Sequence, residues 1–151
     1  MRIAVVGCLH GKIEEVYQCI TDIEEKEKIK VDLLLCCGDI EALRSLSDLK
    51  CKAHPKSKGY DMGSFYKYYN GELKAPILTI VIGGNHEASN HFQELPFGGW
   101  LCPRVYYLGH CGVVDIIDEP SGEVVLTVGG LSGIYKSYNY FKGTHHCITR
   151  L

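Results

Sequence analysis

Residues 77–87 read Ile-Leu-Thr-Ile-Val-Ile-Gly-Gly-Asn-His-Glu, and this stretch decides the fold. An uncharged run rich in β-branched side chains predicts a buried strand over 77–82. Two glycines stop the strand. An amide, an imidazole and a carboxylate follow at once. The same arrangement recurs twice upstream. Residues 31–37 (Val-Asp-Leu-Leu-Leu-Cys-Cys) predict a second buried strand, closed by Gly38-Asp39, and residues 2–6 (Arg-Ile-Ala-Val-Val) a first, closed by Gly7-Cys8-Leu9-His10.

The segments between these strands read as helix. Ile13, Val16, Tyr17, Ile20 and Ile23 recur at helical spacing, with Glu14, Glu15, Gln18, Asp22 and Lys26 on the other face. This predicts an amphipathic helix of roughly four turns. A short helix is expected over Glu41–Ser47, a lysine-rich loop over 52–63, and an aromatic helix over Phe65–Tyr69. Further strands are expected at Val105–Leu108, Val113–Ile117 and Val124–Val128, the last two joined by a turn at Pro120-Ser121-Gly122. The order β-α-β-α-β, then strands and turns, predicts an α/β sheet with more antiparallel character later in the chain. In such sheets chemistry collects at the carboxyl ends of the strands.

The chain has 151 residues, enough for one domain with its own core. No apolar run approaches the roughly 20 residues of a membrane span, so no membrane partner is expected. Nor does the N-terminus carry the apolar region and cleavage site of a secretory signal. A reducing compartment is therefore expected, and most of the eight cysteines are read as small buried hydrophobes rather than disulfide partners. A formal net charge of −2 argues against holding nucleic acid by charge alone. Lysines 50, 52, 56, 58, 67 and 74 nevertheless cluster against only Asp61 and Glu72, while the acids crowd Glu14–Glu27. That separation could set a polyanion on one side of the molecule.

Each of the three strand ends offers metal-ligand atoms. Cys8 and His10, two apart in an extended segment, point to one side and can chelate one ion. Asp39 can bridge two ions through its two oxygens. Asn85 offers a neutral carbonyl oxygen, and His86 beside it is free to serve as an acid. A lone Gly-Asp is usually a turn, and a lone Cys-x-His is unremarkable here. The three together, at the ends of consecutive strands, point to a metal site. His54, His91 and His110 lack ligand spacing, and His91 reads as a packing residue or one that supports the ligands from behind.

The order Gly-Cys-Leu-His, Gly-Asp, Gly-Gly-Asn-His-Glu resembles the calcineurin-like metallophosphoesterases, in which an aspartate usually stands where Cys8 is. Cysteine there resembles the RNA lariat debranching enzymes of that family. So do the longer stretches 31–39, 66–79, 82–100, 105–114 and 132–140. The resemblance implies a metallophosphoesterase-type β-sandwich flanked by helices, with the whole chain, residues 1–151, as one partial domain. It implies hydrolysis of the 2′–5′ phosphodiester at the branch point of excised intron lariat RNA, giving linear RNA in the nucleus. Branched RNA is then the partner. One or two divalent cations (Fe2+, Zn2+ or Mn2+) would be held by Cys8, His10, Asp39 and Asn85, with His86 as general acid. A thiolate ligand favours the softer ions over Mg2+. Tyr135, Lys136, Ser137 and Tyr138 resemble the family's substrate-recognition segment, where tyrosines stack on bases and a lysine meets phosphate.

The family's further ligands, a histidine in a Ser-His-Asp strand end and a Gly-His-x-His, are not found, and His145-His146 does not match them. The expectation is a sandwich truncated to its N-terminal half, with metal binding weakened and its own turnover in doubt. Two other readings stay open. One is another calcineurin-like phosphoesterase acting on a different phosphoester. The other is a non-catalytic remnant that binds RNA or a partner.

Overall fold

The structure, a computed structural model, describes residues 1–52, 61–135 and 137–139. Four strands form a parallel array: β1 (Ile3–Val6), β2 (Leu33–Cys36), β3 (Leu78–Val81) and β5 (Val105–Tyr107). A fifth, β4 (Gly99–Cys102), adds antiparallel to β5, giving the order β1-β2-β3-β5-β4. The helices are α1 (Ile13–Glu27), α2 (Leu46–Leu49), α3 (Phe65–Tyr69) and α4 (Ser89–Gln93). β6 (Cys111–Ile117) and β7 (Val124–Leu131) form a separate antiparallel hairpin.

Alternation along each central strand sends side chains to two faces. Leu34, Cys36, Ile77 and Val81 face the helices. There they pack with Ile13, Tyr17 and Ile20 of α1, Phe65 and Tyr68 of α3 and Phe92 of α4. A buried hydrogen bond between Tyr17 and Thr79 (2.7 Å) ties α1 to β3. Leu33 and Ile80 face the other way and, with Leu108, meet Val114, Ile116, Leu126 and Val128 of the hairpin. The result is a layer of helices, a sheet and a second sheet layer. This is the sandwich of two sheet layers with flanking helices that the family resemblance implies. On β1 the face opposite the helices is open, with Ile3 and Val5 exposed.

The three anticipated buried strands form, each trimmed at its ends. Other expectations need correction. β4 is an element the sequence reading does not include; the strand exists through its pairing with β5. The helix expected over Glu41–Ser47 forms later, at Leu46–Leu49. Glu41 is left-handed (φ 52°), which prevents a helix from starting there, and Ser45 supplies the cap by accepting from the Ser47 backbone N–H. The hairpin turn is as expected: the Asp118 carboxylate accepts from Ser121, and Gly122 takes a positive φ. All seven described cysteines are free thiols, but only Cys36 and Cys102 are buried, while Cys8, Cys19, Cys37 and Cys111 are exposed. Burial pushes the Cys36 and Cys102 thiols up to about 12, so both stay protonated. Two lysines of the basic segment are paired with acids of the chain, one at the surface and one buried. Lys67 pairs with Glu14 on the acidic helix itself (2.7 Å), and Lys52 pairs with Glu41. The expected separation of basic from acidic faces fails at those positions. Lysines 56 and 58 lie outside the described residues.

No helix among the described residues is long and apolar enough to cross a membrane.

Candidate metal centre

Parallel register sets the site. Val6 lies opposite Cys36, and Cys36 opposite Val81, so three strand ends finish in one row. The chain leaves that row through Cys8–His10, Gly38–Asp39 and Gly84–His86. Backbone bonds keep these exits together: Cys37 N–H donates to Val6 O (2.9 Å) and Ile82 N–H to Cys36 O (3.1 Å).

Cys8, His10 and Asp39 each bring a ligand atom within 4.8 Å of the others. Cys8 and His10 are exposed and Asp39 is buried. A thiol, an imidazole and a carboxylate converging around an open side is a donor set that fits a divalent cation of borderline softness. Asp39 has a second engagement: its Oδ1 accepts the His86 backbone N–H (2.8 Å). This draws the third loop to the first two. The His86 ring lies 5.4 Å from the His10 ring, centroid to centroid. Asn85 sits exposed on the bend between Gly84 and His86, on the loop that Asp39 tethers.

The loops approach too closely for side chains. A Cβ on Gly84 would overlap Asp39 Oδ1 and come within 2.7 Å of Asp39 N. Gly84 is therefore required by proximity to the carboxylate, not by its own torsion angles. The backbone around the site is also strained. His10 (φ 47°), Asp39 (φ 53°) and Glu41 (φ 52°) are all left-handed without being glycine. Such residues cost on the order of 1–3 kcal/mol each and persist only where the surroundings fix them.

Glu87 does much of that fixing, a role not apparent from its place in the sequence. Its carboxylate accepts backbone N–H groups from Gly84 (3.0 Å), Ile40 (3.2 Å) and Glu41 (2.8 Å), so one side chain joins the loop after β2 to the loop after β3. Burial pushes its carboxyl up to about 7, against the pull of these backbone donors. Among Asn85, His86, Ser89 and Asn90, nothing in the sequence marks this acid as one that points inward. His91 is buried, as expected of a packing residue. Its Nδ1–H donates to Ala42 O (2.9 Å), supporting the same loop from the helix side. Arg44 continues the support, bonding Asp48 (2.8 Å) and Glu94 (2.8 Å). Burial raises the Asp48 carboxyl, but the bonds from Arg44 and Asn90 outweigh it and hold it down at about 2.

The segment expected to meet substrate begins beside this centre. Ser132 Oγ accepts the Gly83 N–H (2.9 Å), and Gly133 N–H donates to Gly83 O (3.0 Å). A cavity of about 190 Å³ lies there, reaching Glu87, Phe92, Tyr107 and Ser132. Beyond it Tyr135 and Tyr138 are exposed, and Ser137–Asn139 makes one 3-10 turn. Lys136 lies outside the described residues, as do His54 and His145-His146.

A family model described as calcineurin-like phosphoesterase matches residues 1–148. Among curated proteins, the chain is 54% identical over 143 residues to the lariat debranching enzyme of Danio rerio, covering 95% of this chain and 24% of that protein. To the lariat debranching enzyme A of Xenopus laevis it is 55% identical over 143 residues, again 95% of this chain and 25% of that protein. To the lariat debranching enzyme of Homo sapiens it is 51% identical over 147 residues, 97% of this chain and 26% of that protein. The chain thus spans about a quarter of the length of the curated relatives it matches.

Proposed function

The chain belongs to the calcineurin-like phosphoesterase family, and from that premise we propose that it serves hydrolysis of the 2′–5′ phosphodiester at the branch point of lariat RNA. The observation that carries the proposal is the convergence of Cys8 and His10, at the end of β1, with Asp39, at the end of β2, all within 4.8 Å. The relatives named for lariat debranching supply the substrate.

Cys8, His10 and Asp39 would hold the divalent cation, with the Asn85 amide oxygen as a further ligand. When bound, the cation supplies an activated water and a positive counterpart to the phosphate oxygens. The thiolate favours Fe2+ or Zn2+, with Mn2+ as a substitute, over Mg2+. The remaining work falls to this chain. Asp39 keeps its second oxygen on the His86 backbone, which fixes His86 relative to the metal ligands. His86 gives a proton to the departing 2′ oxygen as the water oxygen bonds to phosphorus and the P–O2′ bond breaks. The products are a free 2′-hydroxyl at the branch point and a phosphate on the released branch. Imidazole suits this step because it exchanges protons near neutral pH. Tyr135 and Tyr138, with Ser137 and Lys136, would receive the unpaired bases and phosphate flanking the branch. Excised lariats arise in the nucleus, which makes that the proposed location; exclusion of a tagged chain from nuclei would remove it.

The test offers the protein a synthetic branched RNA and a linear RNA of the same composition, with Mn2+, Fe2+ or Zn2+ added. Cleavage restricted to the 2′–5′ linkage is expected, falling about 10²–10⁴-fold in His86→Ala. Equal rates on the linear RNA or a simple phosphodiester would point instead to a different phosphoesterase. RNA binding without cleavage would point to a non-catalytic role.

A further inference from the structure

Beneath the metal-ligand loops lies an ion pair that the reaction does not call for. Lys52 and Glu41 are joined Nζ to Oε2, with side chains only 8% and 4% exposed. Burying two charges together costs several kcal/mol per ion before their attraction is counted, so such a pair is weak evidence for stability. Glu41 also adopts a left-handed backbone, an added cost. Both partners are held from outside. The Glu41 N–H is fixed on Glu87, and Lys52 makes a β-bridge with Ala88. Gly11 closes over the pair: a Cβ there would come 3.1 Å from Glu41 Oε2 and 3.3 Å from Gly63 Cα. The Ser64 N–H, bonded to Gly11 O (3.0 Å), holds that cover in place.

The other Glu41 oxygen faces the candidate metal ligand. Oε1 lies 3.6 Å from His10 Nδ1, and Asp39 Oδ2 lies 3.9 Å from the same nitrogen. At 3.6 Å the contact is longer than a formed hydrogen bond. Closing it takes a small rotation of a ring that is half exposed, and contacts of this kind tighten on binding. Asp39 is less suited to the same task, because Oδ1 is engaged by His86 and Oδ2 lies farther from the ring nitrogen, at 3.9 Å.

We propose that Glu41, fixed by Lys52, is a positioning residue for His10: Oε1 accepts the Nδ1–H of the neutral ring and leaves the Nε2 lone pair for the cation. Metal-bound imidazoles commonly donate their other N–H to a carboxylate, which sets the tautomer and ring orientation. Lys52 holds the other oxygen, Oε2, under the loop and away from the ring. The proposal rests on the metal-centre reading for its purpose, but not for its geometry.

The test separates the two. Long-range ¹H–¹⁵N spectra of the metal-free, ¹⁵N-labelled chain at mildly alkaline pH report the His10 tautomer, assigned with His10→Gln. Wild type is expected to carry its proton on Nδ1. Glu41→Gln is expected to do the same, since its amide oxygen still accepts. The double variant Glu41→Leu/Lys52→Met, which leaves no buried charge unpaired, is expected to revert to the Nε2–H form that free imidazole side chains favour. Glu41→Asp withdraws the carboxylate from the ring while keeping a charge for Lys52; it gives the same reversal should the double variant fail to fold. An Nε2–H ring in wild type, or an unchanged ring in these variants, overturns the proposal. Titration with Co2+, read by visible absorption, is expected to be about 10–100-fold weaker in the double variant; equal affinity also overturns it. A wild type that takes up no Co2+ removes the metal-centre reading and leaves the tautomer to decide this one.

Discussion

The two sides of the candidate centre are built in opposite ways. On the inner side, His10, Asp39 and Glu41 stand on left-handed backbone, and the carboxylates of Asp39, Glu41 and Glu87 are all buried. Each of those carboxylates has a bonding partner in a neighbouring loop. On the outer side, beyond the end of β7, Tyr135 and Tyr138 are 76% and 68% exposed, with Tyr138 on the short turn Ser137–Asn139. Strain and buried charge are costly, and the molecule places them where ligand atoms must be set before a cation arrives. Among the described residues the outer side carries neither, which suits contact with a flexible polymer whose bases adjust to the surface. The inner side should therefore respond to substitution through stability and metal binding, and the outer side through substrate binding alone.

The largest expected effect is at Glu87. Glu87→Ala strands two buried backbone donors, at Ile40 and Glu41, and a partly buried one at Gly84. At about 1–3 kcal/mol per stranded donor, the loss is on the order of 4 kcal/mol. Chemical denaturation measures it as a lowered midpoint. Glu87→Gln keeps one acceptor oxygen and should lose less. If Glu87→Ala unfolds at the wild-type midpoint, the inner side is not held as described and the contrast between the two sides disappears.

That staple also marks the limit of what the sequence makes legible. The three strand ends stand out because an apolar run, a glycine and a polar donor recur in order, and all three came together in space. The resemblance supplied the second sheet layer, which the hairpin from Cys111 to Leu131 provides. Glu87 and Glu41 were not legible as supports, because a single acid in a loop gives no sign of whether it points inward. Lys52 and Lys67 read as members of a basic surface, yet each is paired, one beneath the metal-ligand loops and one on α1. β4 was hidden for a different reason. Its residues have little strand character of their own, and the strand is imposed by pairing Gly99 with Tyr107 and Trp100 with Tyr106. Local chemistry was readable; long-range hydrogen bonding was not.

A smaller effect sharpens the comparison through pH. Burial lowers the pKa of His91 below its ordinary 6.5, against the bond to Ala42 and with Arg44, Asp48 and Glu94 nearby. The unfolded chain therefore binds this proton more readily than the folded one. The stability that His91 contributes is present above about 6.5 and is lost as pH falls below that value, with a slope of at most about 1.4 kcal/mol per pH unit. His91→Asn keeps a donor for Ala42 O and does not titrate, so its difference from wild type should shrink as pH falls from 7 toward 5. Denaturation curves across that range read the difference. A constant difference would mean that the ring is not held neutral, and that this support of the loop after β2 is looser than the bond to Ala42 implies.

The smallest effect on stability belongs to Tyr138, and it tests the outer side most directly. Its ring is 68% exposed, so Tyr138→Ala removes little buried area and should move the unfolding free energy by no more than about 0.5 kcal/mol. Stacking of a base on an aromatic ring contributes about 1–3 kcal/mol, so affinity for branched RNA should fall roughly 5–150-fold. Co2+ binding should not change, because Tyr138 is not one of the candidate ligands. The combination is what matters: unchanged stability, unchanged metal affinity and weakened RNA binding together identify a surface that meets substrate. A substitution that instead lowered stability by more than about 1 kcal/mol would show the turn to be packed into the fold, and the division between a preset inner side and an adaptable outer one would be wrong.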